Sequence, residues 1–473
     1  MEAYYRWIMH ESPIHAGARR TGLVGALGFA TAVSMWAIAY FSLMSPGLVA
    51  GEILFGMLFL AVGAGGFVAG RLRVSGGSGA MAGLMVALVA ATVNLLLVGS
   101  LFGKGTDGSI VRQLLIWVGG LYTASAICGA IGGAIGGRAP AVTLRMAPTS
   151  LFAWVAAATV FLLLITGGIV TGQEAGLAVP DWPNSFGHNM FLYPLSEMKE
   201  GIYFEHAHRL YGTLVGLTSI ALFVQVMRTE SRAWVRAFVT ALFIAVCVQG
   251  AMGALRVTGT FTLSQDPAEL APSVGYGVVH GVFGQLVFAG FCVLAAATSS
   301  RWSTGAPARS DHSLVSGRSA SQVAFAVLLL QLISGALYRH FQLPSGTDAP
   351  PSNPAWAMHL HLTWSVVAFA AMIWLGIRAM KAPSDCRPLQ PLGKAIHAVV
   401  TVQMLLGIVA LVYVLLRKSA AIPPMEVLFT TAHQANGALL IGLSALTVAW
   451  FRRWTAQSVP ATGLSASSSA SRA

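Results

Sequence analysis

Four histidines carry most of the chemistry that this sequence can do: His208, His280, His361 and His433. They repeat. His208 and His361 are 153 residues apart, as are His280 and His433, and within each pair the first and second stand 72 residues apart. Their surroundings repeat with them. FEHAHRLYGTLVGL (204–217) matches AMHLHLTWSVVAFA (357–370), and VVHGVFGQLVFA (278–289) matches TAHQANGALLIG (431–442). Between them, Val248-Gln249 matches Val402-Gln403 at an offset of 154. Imidazole is a common axial ligand of haem iron, and bundle cores are common sites for it. Two imidazoles facing inward at one depth of a four-helix unit would hold one iron porphyrin, so the duplication predicts two such sites.

Four residues after each histidine stands a small residue: Gly212, Gly284, Ser365 and Gly437. Positions i and i+4 share a helix face. A flat macrocycle against that face needs a small side chain one turn on, whereas a proton relay does not. The competing view is of isolated polar residues in ordinary helices, but ionisable groups inside membrane spans are rare and usually functional. His206 and His359 are also related by the repeat, two positions earlier and nearly opposite on the helix. The small residue at +4 selects His208 and His361 and leaves His206 and His359 as candidates for a haem edge.

The halves differ at one position. Glu205 lies three residues before His208 and shares its face, whereas Met358 stands at the equivalent place in the second half. An electron-transfer haem needs no carboxylate at its edge; a site that removes or shuttles protons can use one as a base or charge stabiliser. The alternative for Glu205 is a hydrogen bond to a neighbour such as His206 or Arg209, or exposure near the interface.

The elements that must position these residues are membrane helices. The chain is 56% hydrophobic and 9% charged, far below the roughly 25% charged of soluble domains. A span needs about 20 apolar residues, and twelve segments approach that: about 22–44, 51–70, 79–102, 112–135, 150–171, 205–227, 234–256, 277–298, 321–339, 357–377, 394–416 and 430–451. The fold class expected is an all-α integral membrane protein, two four-helix bundles preceded by four further helices. The net charge of +12 follows the connections, which argues against nucleic acid. Arg19 and Arg20, Arg71 and Arg73, Arg138 and Arg145, Arg228 to Arg236, Arg301 to Arg318, Arg378 to Lys394, and Arg452 and Arg453 make every second connection basic. By the positive-inside rule both termini are cytoplasmic, and the histidines fall near the outer face. Lys104, Arg112, Arg256, Arg339, Arg417 and Lys418 fall at outer ends against this pattern. Cys128, Cys247, Cys292 and Cys386 form no CxxC motif and are not placed for an extracytoplasmic disulfide. The residues before Arg19 show no apolar stretch of a cleaved signal.

The organisation expected is an N-terminal four-helix membrane segment (1–148), a first haem-binding half (149–300), a cytoplasmic linker (301–320), a second haem-binding half (321–454) and a disordered tail (455–473). The first segment lacks histidine beyond its leading residues and is rich in Gly and Ala, for example Gly63, Gly65, Gly66 and Gly70. Small residues let membrane helices pack closely. A packing bundle accounts for it better than a partner-binding module, since no polar cluster marks a site.

At Glu205-His206-Ala207-His208-Arg209 the chain resembles the haem A synthase family. So do GGIVTGQEAGLAVPDWPNSFG (167–187), with its Pro180-to-Pro183 stretch, and HQANGALL (433–440). The resemblance spans about 150–451 and implies two pseudo-symmetric four-helix bundles in the cell (inner or plasma) membrane. It implies that His208 and His280 bind the substrate, haem O, and that His361 and His433 bind haem B. It implies oxidation of a porphyrin methyl to a formyl group by successive hydroxylations and loss of water, making haem A for terminal oxidases. Glu205 matches the family's functional glutamate, acting in proton removal or in stabilising positive charge. Arg209 is a candidate partner for a haem propionate. Haem O synthase, an electron donor and a second copy of the chain are the partners implied, besides lipid. The chain departs from members with paired cysteines in the first loop, because Ala178 and Ser185 stand near those places. The four extra N-terminal spans also lie outside the family pattern. Two other readings compete. A bis-haem cytochrome for quinol-linked electron transfer leaves Glu205 unexplained. A haem transporter would carry a Trp-rich handling loop, where this chain has only Trp182.

Overall fold

A computed structural model describes residues 13–45, 47–74, 77–101, 109–258, 271–304, 312–341 and 354–455. Thirteen α-helices occur among them: α1 Pro13–Leu43, α2 Gly51–Arg71, α3 Gly79–Val98, α4 Ser109–Arg138, α5 Pro148–Gly172, α6 Glu200–Thr229, α7 Ala233–Thr258, α8 Ala271–Ala297, α9 Ser300–Thr304, α10 His312–His340, α11 Ala355–Met380, α12 Leu389–Leu416 and α13 Pro424–Thr455. All but α9 are long and apolar enough to cross a membrane, and the chain is a multi-pass membrane protein. A span must satisfy its own backbone groups, which a helix does internally. The same internal bonding carries several helices past their apolar runs into polar flanks. The run at about 205–227 becomes Glu200–Thr229, and that at about 321–339 becomes His312–His340.

The expected linker 301–320 is therefore largely helical. Residues 301–304 belong to α9 and 312–320 open α10, while 305–311 lie outside the described residues. Thr455 ends α13, and the rest of the expected tail also lies outside them, as do Lys104, Asp107 and residues 1–12.

The helices pack as two closed rings of four. In the first, α5 packs on α6, α6 on α7, α7 on α8, and α8 on α5. In the second, α10, α11, α12 and α13 do the same. The rings meet where α13 packs on α8 and α5, and where α8 packs on α10. Ser150 Oγ donates to the Ala295 carbonyl at 2.7 Å and ties α5 to α8.

The N-terminal helices form their own cluster, with α4 packed on both α2 and α3. Glycine makes this approach possible. A Cβ at Gly66 or Gly83 would run into the Gly129 carbonyl, so backbone meets backbone there. Helix α1 joins the cluster to the first ring by packing on α5. Tyr203 Oη of α6 donates to the Tyr40 carbonyl at 2.7 Å, and the two phenol rings stack 5.6 Å apart. Below them Trp36 Nε1 donates to Asn94 Oδ1 at 2.9 Å, which satisfies both polar groups in the interior.

Candidate functional site

Each histidine of the repeat packs against a glycine on the helix before it. A Cβ at Gly167 would lie 2.9 Å from His208 Cε1, and one at Gly253 would lie 3.5 Å from His280 Cε1. In the second ring a Cβ at Gly335 would lie 2.8 Å from His361 Cε1, and one at Gly407 2.8 Å from His433 Cε1. The glycines let each imidazole lie against the neighbouring backbone, held on one side.

Hydroxyls orient the first histidine of each ring. Thr166 Oγ1 gives its proton to the Leu163 carbonyl at 2.9 Å and lies 2.9 Å from His208 Nδ1. A hydroxyl has one proton, so His208 Nδ1 must be the donor in that contact. The tautomer is thereby set, and Nε2 keeps a free lone pair, the state that a metal needs. The second ring also sets a hydroxyl against Nδ1, but adds an amide donor there, so the His361 tautomer is not fixed by the hydroxyl. Ser334 Oγ donates to the Gln331 carbonyl at 2.8 Å and lies 3.2 Å from His361 Nδ1. The Gln331 amide also reaches that nitrogen, at 3.1 Å.

The glutamines of the Val-Gln repeat serve the second histidines. Gln249 Nε2 donates to the His280 carbonyl at 2.7 Å. Gln403 Nε2 lies 3.3 Å from His433 Nδ1 and 3.2 Å from its Nε2, and its Oε1 accepts from Asn436 at 2.7 Å. His280 Nδ1 and Gln249 Oε1 are buried without a hydrogen-bond partner among the described residues.

The His361 and His433 rings stand with centroids 6.3 Å apart and planes at 85°. A metal–imidazole bond is about 2 Å and the nitrogen sits about 1 Å from its ring centre, so two imidazoles sharing one metal lie about 6 Å apart. The pair has the spacing for axial ligation. His208 and His280 are near enough for their charges to interact, and Arg256 is within electrostatic range of both. No cluster of three or more His, Cys, Asp or Glu side chains that could hold a metal ion occurs among the described residues. The room beside the rings is uneven. Position 212 has nothing within 4 Å of where a Cβ would be, whereas at Gly284 and Gly437 the Gln249 and Gln403 amides stand 3.0 and 3.3 Å away. The expected cleared face is open at Gly212 and is met by the hydrogen-bonded Gln249 and Gln403 amides at the other two glycines.

Glu205 is 4% exposed. Its Oε1 forms an ion pair with Arg209 at 2.8 Å, and its Oε2 accepts from the Val179 backbone N–H at 3.0 Å. Arg209 donates further to the carbonyls of Val179, Asp181 and Asn184. Its guanidinium thus binds Glu205 and the loop after α5. That loop is built around the Pro180-to-Pro183 stretch. The Asp181 carboxylate accepts from the Phe186 and Gly187 N–H groups, each at 2.8 Å. They form the two-residue turn between strands β1 (Asn184–Ser185) and β2 (His188–Asn189). Phe186 and Gly187 both have positive φ, 52° and 76°, which such a turn requires and glycine adopts readily. Burial opposes the Asp181 charge, but the two N–H groups and Arg209 outweigh it and hold this carboxyl below its ordinary range.

His206 is buried and bonds to this loop, with Nδ1 3.0 Å from Ser185 Oγ and its ring 5.2 Å from Tyr193. Its place is under the loop. His359 is exposed.

Three outer-end arginines that broke the charge pattern turn inward. Arg339 donates to the Thr171 carbonyl at the end of α5. Arg417 pairs with Glu174 at 3.0 Å and with Glu426 at 3.5 Å. The Arg256 guanidinium lies over the loop after α5, 3.1 Å from where a Cβ at Gly176 would be. These charges belong to the interior, so they report nothing about sidedness. Glu426 also alters the contrast between halves, because the second ring has a buried carboxylate too, on α13 instead of α11. The cysteines are free. An opening lined by Ser313, Trp374, Ile377, Arg378 and Lys381 lies about 20 Å or more along α11 from His361, too far to serve the histidines.

No curated protein matches the chain. Comparison with protein families matches residues 150–445 to COX15-CtaA, described as cytochrome oxidase assembly protein. The matched stretch begins in α5 and ends in α13, and so takes in both rings and all four histidines. On that match, and on motifs that agree with it, the chain belongs to the COX15-CtaA family of cytochrome oxidase assembly proteins, the haem A synthase family, and its role is in cytochrome oxidase assembly.

Proposed function

We propose that the chain is a haem A synthase that oxidises the methyl group of haem O to a formyl group. The observation that carries this is the pair of duplicated imidazole sites, one of which has a buried, oriented carboxylate on the same helix as its first histidine. His208 and His280 bind the substrate porphyrin in the first ring. His361 and His433 hold haem B in the second, and that group supplies one-electron redox chemistry when bound.

The chain's own residues then do the following. Thr166 holds the His208 imidazole by Nδ1 and leaves Nε2 for the porphyrin, and Ser334 and Gln331 hold the His361 imidazole by Nδ1. Gly167, Gly253, Gly335 and Gly407 set how deeply each ring lies. The loop from Val179 to Asn189, anchored by Arg209 and Asp181, covers the start of α6 and limits water there. Both oxygens of Glu205 are engaged, so it acts as a fixed negative charge that favours positive charge developing on the substrate. Proton removal by Glu205 would require Arg209 or Val179 to let go. Haem O synthase as supplier, an electron donor and self-association are the partners this reading implies. The sidedness it implies is cytoplasmic termini, with the histidines at the outer face of the cell membrane.

A bis-haem cytochrome is the second reading. The engaged oxygens of Glu205 favour it, as does the carboxylate Glu426 in the other ring. Expression in cells that make haem O but no haem A, followed by pigment extraction, decides. A formyl haem is expected; haem bound with no formyl product would leave the cytochrome.

A further inference from the structure

The freest buried carboxylate near the histidines is Glu426. It opens α13, seven residues before His433. Seven residues are about two turns, or roughly 10 Å, so the two share a helix face. Glu426 is 3% exposed. Its Oε1 lies 3.5 Å from Arg417 Nη1, while its Oε2 is buried with no hydrogen-bond partner among the described residues. Glu205 differs, since both of its oxygens are met. Charged and titratable groups face Glu426 from every element around it. Arg417 comes from the end of α12, Arg339 and Tyr338 from the last turn of α10, and Glu174 from the end of α5. An oxygen buried without a donor is costly when charged and gains a use when it carries a proton. Tyr338 also stacks on His361, with ring centroids 6.3 Å apart at 8°, so the cluster abuts the imidazole pair without Glu426 touching it.

We propose that Glu426 is a proton-binding site coupled to the redox state of the haem held by His361 and His433. This rests on the reading that those two histidines hold a haem. When ferric iron there gains one electron from a donor, Glu426 Oε2 takes one proton from the aqueous phase and forms an O–H bond. On reoxidation the electron and the proton both leave. The charge buried in the second ring is then the same in both states. One charge at about 10 Å in a medium of effective dielectric near 20 changes proton affinity on the order of tenfold.

The test is a spectroelectrochemical titration of the haem-loaded protein from about pH 5 to about pH 9, with an electrode as donor. His280→Ala in the background leaves one haem to report. With Glu426 present, the midpoint potential is expected to fall as pH rises. Reduction is also expected to bring up an infrared band of a protonated carboxyl. In Glu426→Gln the pH slope should drop by half or more and the band should vanish. An unchanged slope and band in that variant, or a pH-independent potential in the parent, would overturn the proposal alone. If Glu426→Gln fails to fold, Arg417→Gln serves, since loss of that cation should move the titration to higher pH, and an unmoved titration overturns the proposal. A parent with no bis-imidazole haem spectrum would bring down the haem reading itself, and this proposal with it.

Discussion

Thr166 passes its only proton to the Leu163 carbonyl and takes one from His208 Nδ1, 2.9 Å away. The consequence is a metal-ready imidazole set by a residue that touches no metal. Partners that hold a ligand's other ring nitrogen are worth about 10- to 100-fold in affinity. Thr166→Val should weaken haem binding in the first ring by about that factor, and Thr166→Ser should restore it. Absorbance titration with haem measures both.

Gly335 admits the His361 ring, since a Cβ there would come within 2.8 Å of it. Gly335→Ala should displace the imidazole, and overpacking of this sort costs about 1–3 kcal/mol. Haem content of the second ring should fall while the first ring keeps its own, read as a halving of haem per chain.

Gly212 separates folding from haem binding. Nothing lies within 4 Å of its would-be Cβ, so Gly212→Leu should leave the helical circular dichroism signal and expression level unaltered. If a porphyrin lies against that face, the same variant should lose first-ring haem. Full haem binding would place the macrocycle elsewhere.

Glu205→Ala should keep bound haem and yield no formyl haem on pigment extraction, and full activity would remove Glu205 from the chemistry. His361→Ala should lower haem B content, and unchanged content would refute that ligand.

Asp181 gives the loop an acid limit. Its folded-state pKa is depressed, so its contribution to stability is complete above its unfolded value of about 3.9 and is lost as pH falls through the lower folded value. Limited proteolysis between residues 173 and 199 should therefore accelerate only in that acid range. Asp181→Asn should be cleaved readily at neutral pH.

The spans, the duplication and the four repeated histidines could be read from the chain because they depend on local periodicity and equal spacing. The groups around the histidines could not. Thr166-Gly167 and Ser334-Gly335 are equivalent pairs 168 residues apart, not 153. The connection from α5 to α6 is longer than that from α10 to α11, and the difference shifts them out of the register set by the histidines. Small-hydroxyl-then-glycine in each half was the available signal. Glu426 is not legible from the repeat because the position equivalent to Glu205 is Met358 on α11, whereas the second carboxylate enters on α13. The loop partners of Arg209 could not be read either, because the carbonyls of Val179, Asp181 and Asn184 reach it only once the loop after α5 folds over α6.

The contacts between the rings have a further meaning. Exchanging the rings turns α5 into α10 and α8 into α13. Under that exchange the α5–α13 contact becomes the α10–α8 contact, and α8–α13 returns to itself. This self-complementary pattern is that of a twofold-symmetric homodimer interface. Tandem fusion of two copies of a self-associating ancestor leaves such a join, and the copies could afterwards specialise without losing their partner.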